Sequence, residues 1–269
     1  MTTALITGAS AGIGAEFAQQ LAARQTDLVL VARSQDKLQE LANSLKHQYQ
    51  IQVDIIVQDL TAPDATETIF QTVQQLGRSI DLLVNNAGIG DYGDFAESDR
   101  DRQLKMVQLN TATVVDLTHR FLHGMRQRRT GGIINLSSVA AFQSMPYFSI
   151  YAATKAFILS FSEALWAENR SYGVHVLAVC PGPAGIKFFK EAGFPSSLIN
   201  IAEKIDTSVE TVVRDALKAF ERRKPIVIPG SPINAILATL PRFVPRAWVS
   251  SFWKLVLGND LNWTNQNYC

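Results

Sequence analysis

The stretch Thr7-Gly-Ala-Ser-Ala-Gly-Ile-Gly14 decides the fold because of what stands on either side of it. Before it lies a short apolar run, residues 2–7. After it, residues 13–24 repeat apolar side chains at helical spacing. A strand that turns through glycines directly into a helix has a specific physical use. Gly8, Gly12 and Gly14 permit a tight turn and close backbone approach, and the helix N-terminus then offers free N–H groups to a diphosphate. A glycine cluster alone is a weak signal, and the strand–turn–helix setting is what points to a dinucleotide. The same residues also spell Gly8-x-Ser10-x-Gly12, the nucleophile-elbow pattern of α/β-hydrolases. That alternative requires an acid and then a His downstream. The last His is His175, inside a strand pattern, and no His-Gly-Gly segment occurs.

Outward from this turn the chain alternates. Residues 27–32, 51–57, 81–84, 132–136, 174–180 and 225–228 read as further strands, continuous in Val, Ile and Leu as strands buried on both faces should be. Helices are expected over 35–48, 62–76, 98–128, 150–172 and 207–224. Pro63 stands in the first turn of the 62–76 segment, and Thr207-x-x-Glu210 reads as a capping box. Repeated strand–helix crossovers require a parallel sheet with helices on both faces. The expected fold is therefore α/β: a Rossmann-type, doubly wound parallel sheet of about seven strands, with a C-terminal helical extension. No repeat or linker interrupts residues 1–230, which read as one domain, with 231–269 an extension of it.

Composition narrows the function. Of 269 residues, 47% are hydrophobic and 18% charged, too apolar for a disordered chain. Lys+Arg 25 against Asp+Glu 24 leave a net charge of +1 and no global electrostatic case for nucleic acid. Two cysteines, Cys180 and Cys269, exclude a disulfide scaffold and fit a reducing cytoplasm. The opening run is too brief for a signal peptide, and no uninterrupted apolar stretch is long enough to span a membrane. His47, His119, His123 and His175 are scattered, so no metal site is expected. Arg120, Arg126, Arg128 and Arg129 are read as cations complementing a helix C-terminus.

Two further places carry chemistry. At the end of the second strand stands Arg33, where an acid would bind the ribose hydroxyls of NAD and an Arg accommodates a 2′-phosphate, so NADP is preferred over NAD. Tyr151 and Lys155 are four residues apart on an expected helix and share one face. Lys155 is expected to stabilise the Tyr151 phenolate and lower its pKa, which would suit Tyr151 to acid–base work near neutral pH.

Taken in order, the glycine turn, Asn85-Asn-Ala-Gly88, Asn110, Ser138, Tyr151 with Lys155, and Pro181-Gly182 resemble the motif set of the short-chain dehydrogenase/reductase family, in particular its bacterial ketoacyl- and steroid-type branch. The resemblance runs from residue 2 to about 230. It implies that Ser138 hydrogen-bonds the substrate carbonyl, that Tyr151 exchanges its proton as hydride moves, and that Lys155 binds the nicotinamide ribose. Asn110 would hold a water that relays protons. The cofactor, NADP(H) before NAD(H), would lie against Gly8, Ser10, Gly12, Ile13, Gly14, Arg33, Asp59, Leu60, Asn86, Ala87, Gly88, Pro181 and Gly182. The family also implies a homo-dimer or homo-tetramer. Two positions depart from its pattern: Ala11 stands where many NADP-preferring relatives carry a basic residue, and Ile186 where a Thr often holds the carboxamide. A non-catalytic dinucleotide sensor is the alternative, and the complete Ser138–Tyr151–Lys155 set argues against it.

Ile186, Phe188, Phe189, Phe194, Leu198 and Ile199 follow the sixth strand, where ligands bind in open α/β sheets. Together with Phe142, Met145, Tyr147 and Phe148 they suggest an apolar wall and a lipophilic carbonyl or alcohol substrate. From Ser231 to Gly258 no acidic residue occurs, while Arg242, Arg246 and Lys254 stand among Trp, Phe, Ile and Leu. Three readings are open for this tail: a cover for the pocket or a subunit interface, a peripheral membrane contact, or loose order.

Overall fold

The computed structural model describes residues 2–258. Seven strands, β1 (Thr3–Thr7), β2 (Asp27–Ala32), β3 (Val53–Val57), β4 (Leu82–Asn85), β5 (Gly131–Leu136), β6 (Val174–Val179) and β7 (Ile226–Val227), form one sheet. Its order is β3-β2-β1-β4-β5-β6-β7 and every pairing is parallel. Strands β1, β2, β4 and β6 are buried at every residue, as continuous apolar runs require. The doubly wound sheet expected from the sequence is the one observed.

Helices cover both faces. On one side α1 (Gly12–Ala22), α2 (Gln35–Tyr49) and α9 (Val209–Glu221) bury Phe17, Leu21, Leu38, Leu45, Val212 and Leu217 against β1, β2 and β6. On the other, α3 (Ala65–Gln75), α5 (Thr113–Arg128) and α6 (Ser149–Asn169) bury Ile69, Leu117, Phe121, Met125 and Leu165. The remaining helices lie toward the carboxyl ends of the strands: α4 (Arg100–Val107), α7 (Ile186–Glu191), α8 (Ser196–Lys204), α10 (Pro232–Thr239) and α11 (Arg246–Gly258).

Three local expectations are corrected. Residues 98–128 are not one helix: a π-helical turn, Gln108–Ala112, separates α4 from α5. Such a turn inserts one extra residue per turn, and here it presents Asn110 to the loop after β4. Helix α3 starts at Ala65 rather than around Pro63, because Asp64 is left-handed at φ 55° and cannot continue a helix backwards. The cap of α9 is Ser208, whose hydroxyl accepts from the Thr211 N–H at 3.2 Å. Thr207 is buried and instead accepts from Asn234 on α10. The arginines of α5 also do more than complement a dipole. Arg120 pairs with Glu67 and Asp116, Arg126 donates to Asn169, and Arg128 donates to the Ile80 carbonyl. Cys180 is a buried core thiol, pushed up to about 12 by burial; Cys269 and the rest of 259–269 lie outside the described residues.

Candidate active site

The glycine turn sits at the carboxyl end of β1, locked by the strand beside it. The Thr7 hydroxyl accepts from the N–H groups of Asn86 (3.0 Å) and Ala87 (3.1 Å), and Asn86 Nδ2 donates back to the carbonyls of Thr7 (2.9 Å) and Gly8 (3.3 Å). A side chain on Gly14 would collide with the Gly8 carbonyl, so α1 starts hard against the turn. Gly12, at φ 54°, faces open space, and the start of α1 has neither a side-chain cap nor an acidic residue in its first turn. This cradle fits an anion: free donors, no competing carboxylate and no Cβ in the way. Ser10 and Ile13 stand half-buried on its rim.

Further along the same edge, Arg33 projects from the end of β2, exposed. Asp59 stands within its field. The Thr61 N–H (2.9 Å) and hydroxyl (2.8 Å) bond its carboxylate, and with the charge of Arg33 they hold it below the usual carboxylate range. Leu60 is buried, and its carbonyl accepts from Thr113.

Beyond β4 and β5 lies the second half of the site. Asn110 is fully engaged: its Oδ1 accepts from the Ile89 N–H (3.0 Å), and its Nδ2 donates to the Ile89 carbonyl (2.9 Å) and the Thr154 hydroxyl (3.2 Å). A Cβ on Gly88 would stand 3.1 Å from Asn110 Oδ1 and 3.5 Å from Lys155 Nζ, so this glycine leaves a space bordered by both. Lys155 Nζ donates to the Leu136 carbonyl at 2.8 Å, and the Lys155 carbonyl accepts from Ser137 at 2.8 Å. The ends of β5 and α6 are thereby stitched together at the lysine. Ser138 caps the short turn after β5, accepts from the Ala140 N–H (3.1 Å) and lies 3.5 Å from the Pro181 carbonyl, which it can donate to. Its side chain also hydrogen-bonds the Tyr151 phenol. Ser138, Tyr151, Lys155, Asn110, Gly88 and Pro181 therefore belong to one constellation.

Electrostatics corrects one expectation. Burial pushes the Tyr151 phenol up to about 12, with the Ser138 hydrogen bond opposing, and Lys155 does not lower it. The reason is geometric: Lys155 Nζ lies 5.5 Å from the centroid of the Tyr151 ring and spends its hydrogen bond on Leu136. Burial also brings Lys155 down to about 8, so its ammonium is poised to lose a proton within reach of neutral pH.

Aromatic rings wall the tyrosine. Phe148 stacks on Tyr151 at 4.3 Å between centroids, Phe188 of α7 lies at 5.4 Å, and Phe194 packs on Phe148 at 4.9 Å. Phe189 and Tyr92 continue the cluster through Phe194. Of the residues expected in the apolar wall, Phe148, Phe188, Phe189 and Phe194 form it. Phe142 turns away to the Leu159, Ala178 and Cys180 cluster, because the turn after Ser138 folds it onto β6. Arg102 ties the end of α7 to the loop after β4, donating to the carbonyls of Gly90 (3.2 Å) and Glu191 (2.9 Å). Gly182 is packed directly on Asn234 of α10. Sequence reasoning missed Ser137, Thr154, Tyr92, Arg102 and Asn234. Each acts on a partner distant in the chain, and no spacing signals such a pair.

Comparison with known proteins places these motifs. The short chain dehydrogenase family model matches residues 2–193, and the chain belongs to that family. It is an oxidoreductase acting on alcohol and carbonyl groups with a nicotinamide dinucleotide. The chain is 31% identical over 267 residues to the very-long-chain 3-oxoacyl-CoA reductase of Rattus norvegicus, covering 98% of this chain and 81% of that one. A short-chain dehydrogenase from Sphingobium yanoikuyae, solved in complex with NADPH, superposes with a TM-score of 0.80 at 33% identity, covering 90% of this chain and 91% of that one. The bulky-bulky ketone specific alcohol dehydrogenase of Comamonas testosteroni gives 0.75 at 30%, covering 92% and 96%.

Proposed function

We propose that this chain is an NADP(H)-dependent reductase of lipophilic 3-oxoacyl thioesters, of the ketoacyl rather than the steroid type within the bacterial branch its motifs resemble. The observation that carries the reading is a Tyr151 phenol bonded to Ser138 and enclosed by Phe148 and Phe188. A polar pair at the end of an aromatic slot suits a carbonyl on a long apolar chain. The similarity to a very-long-chain 3-oxoacyl-CoA reductase supports that substrate class, and the NADPH complex of a related enzyme supports the cofactor.

The chain's own residues divide the work. The cradle of Gly8, Ser10, Gly12, Ile13 and Gly14 takes the diphosphate, and Arg33 with Asp59 and Leu60 takes the phosphorylated adenosine end. Asn86, Ala87, Gly88, Pro181 and Gly182 border the nicotinamide end. NADPH, when bound, supplies the hydride that reduces the carbonyl carbon. Ser138 donates a hydrogen bond to the carbonyl oxygen, and Tyr151 delivers its proton to the same atom. A phenol held near 12 is fully protonated at neutral pH, the form a proton donor needs. The Lys155 ammonium, 5.5 Å from the ring and lowered toward neutral pH, passes a proton on toward Tyr151. Asn110 positions this corner from its π-helical turn and leads the relay outward. The packing of Asn234 on Gly182 supports reading α10 as an extension of the catalytic unit. Exposed Leu104 and Val107 of α4 and Phe157 of α6 support a homo-dimer or homo-tetramer.

A panel of 3-oxoacyl-CoA thioesters of increasing chain length, assayed with NADPH and NADH, tests the reading. It requires kcat/KM to rise with chain length and NADPH to be preferred by at least about tenfold. Turnover of small polar carbonyls alone, or equal rates with NADH, would overturn it.

A further inference from the structure

Two helices at the end of the described chain carry apolar side chains that the fold does not use. Helix α11 exposes Trp248, Phe252 and Leu255, spaced four and then three apart and hence on one face; Trp248 is 68% and Leu255 70% exposed. Helix α10 and the turn after it expose Ile233, Ile236 and Leu240 at similar spacing. Phe243, between the helices, is 80% exposed. The inner end of α11 is committed elsewhere. Leu257 and Gly258 are buried, the Tyr92 hydroxyl donates to the Leu257 carbonyl, and a Cβ on Gly258 would meet the Tyr147 ring at 2.7 Å. The helix is therefore moored to the rim of the aromatic slot by one end while its apolar face points outward.

Charge decides what fits that face. Residues 231–258 contain no Asp or Glu. Arg246 and Lys254 are exposed and form no ion pair among the described residues. A second copy of this chain docking face to face would set like charges against each other. An anionic lipid surface would complement them, and Trp with basic neighbours is the composition of helices that lie in a membrane interface. No helix among the described residues is long and apolar enough to cross a membrane.

We propose that the outward faces of α10 and α11 dock on an anionic phospholipid bilayer, holding the Tyr92–Tyr147 rim of the slot beside the lipid. The test uses the full chain and vesicles of phosphatidylcholine, with or without phosphatidylglycerol, read by co-sedimentation. Binding to anionic vesicles should exceed binding to neutral ones by about tenfold at low salt and weaken as salt rises. The triple variant Trp248→Ser, Phe252→Ser, Leu255→Ser should lose about tenfold or more in vesicle binding while still binding NADPH. Arg246→Glu with Lys254→Glu should abolish the anionic preference. In the wild type, brominated lipid should quench tryptophan fluorescence, and Trp248→Phe should remove most of that quenching, a readout independent of how the triple variant folds. Absence of vesicle binding by the wild type, unchanged binding by the triple variant, or self-association that the triple variant abolishes without any lipid contact would each overturn the proposal. None of these readouts needs turnover, so their failure is separate from failure of the proposed reaction.

Discussion

The floor and the roof of the slot are built from different physics. The floor, at the ends of β4, β5 and α6, is a chain of directional bonds. Asn85 donates to Asn135 (2.9 Å), Asn135 to Ser162 (2.9 Å), Ser137 to the Lys155 carbonyl (2.8 Å) and Lys155 to the Leu136 carbonyl (2.8 Å). Each buried polar group there needs its particular partner, because an unpaired one costs about 1–3 kcal/mol. The roof, formed by Phe148, Phe188, Phe189, Phe194 and Tyr92, is ring against ring. Ring contacts tolerate exchange of one apolar side chain for another at modest cost. A rigid polar floor fixes the reacting groups, and an adaptable roof selects what reaches them.

Substitutions separate the two. In the floor, Lys155→Met should lower kcat/KM by about a thousandfold for every substrate, long or short. Burial depresses the folded-state value of Lys155 to about 8, so its charge adds nothing to the fold at neutral pH, and the variant should lose only the hydrogen bond to the Leu136 carbonyl, about 1–3 kcal/mol in denaturant titrations. A larger loss of stability would show that the lysine is chiefly structural. Asn110→Leu removes three hydrogen bonds and should cost about 2–3 kcal/mol in denaturant titrations, with activity reduced alongside. Unchanged stability would mean that the π-helical turn holds without it.

A residue away from the slot, at the amino end of β6, gives a pH signature. His175 on β6 is buried, and burial with the nearby Arg223 charge lowers it to about 4 from 6.5. Between those values the unfolded chain binds more protons than the folded one. Stability is therefore full above about pH 6.5 and is lost as pH falls toward 4, by about 1–3 kcal/mol. His175→Leu should flatten that slope, and an equal slope in the variant would assign it to other groups. In the roof, Phe188→Ala should have the smallest effect: about a tenfold loss of kcat/KM on long-chain thioesters and under about threefold on short ones. An equal loss on both would erase the distinction between floor and roof.

This division also explains what could be read from the sequence. The sheet was legible because doubly buried strands leave continuous apolar runs, and the chemistry because Ser138, Tyr151 and Lys155 lie at fixed short spacings. The aromatic roof was legible only as composition: Phe188 and Phe194 fall where a ligand wall is expected, yet nothing in spacing separates them from Phe142, which packs on β6 instead. The break at Gln108–Ala112 was invisible, because a single π-helical turn shifts the apolar phase by only one residue within a long helical run. Asn234 was invisible for another reason. It bonds the nearby Pro229 carbonyl, but its other partner, Thr207, stands before α9 and reaches it only through tertiary packing.

The claim at the centre is that the Tyr151 hydroxyl is the proton donor of an otherwise intact site, and Tyr151→Phe removes that one atom group. Single-turnover reduction of a long-chain 3-oxoacyl-CoA with NADPH should slow by about a thousandfold, while the NADPH dissociation constant from fluorescence titration stays within about threefold of wild type. A variant that keeps more than about a tenth of the wild-type rate, with cofactor bound as tightly, would contradict the assignment.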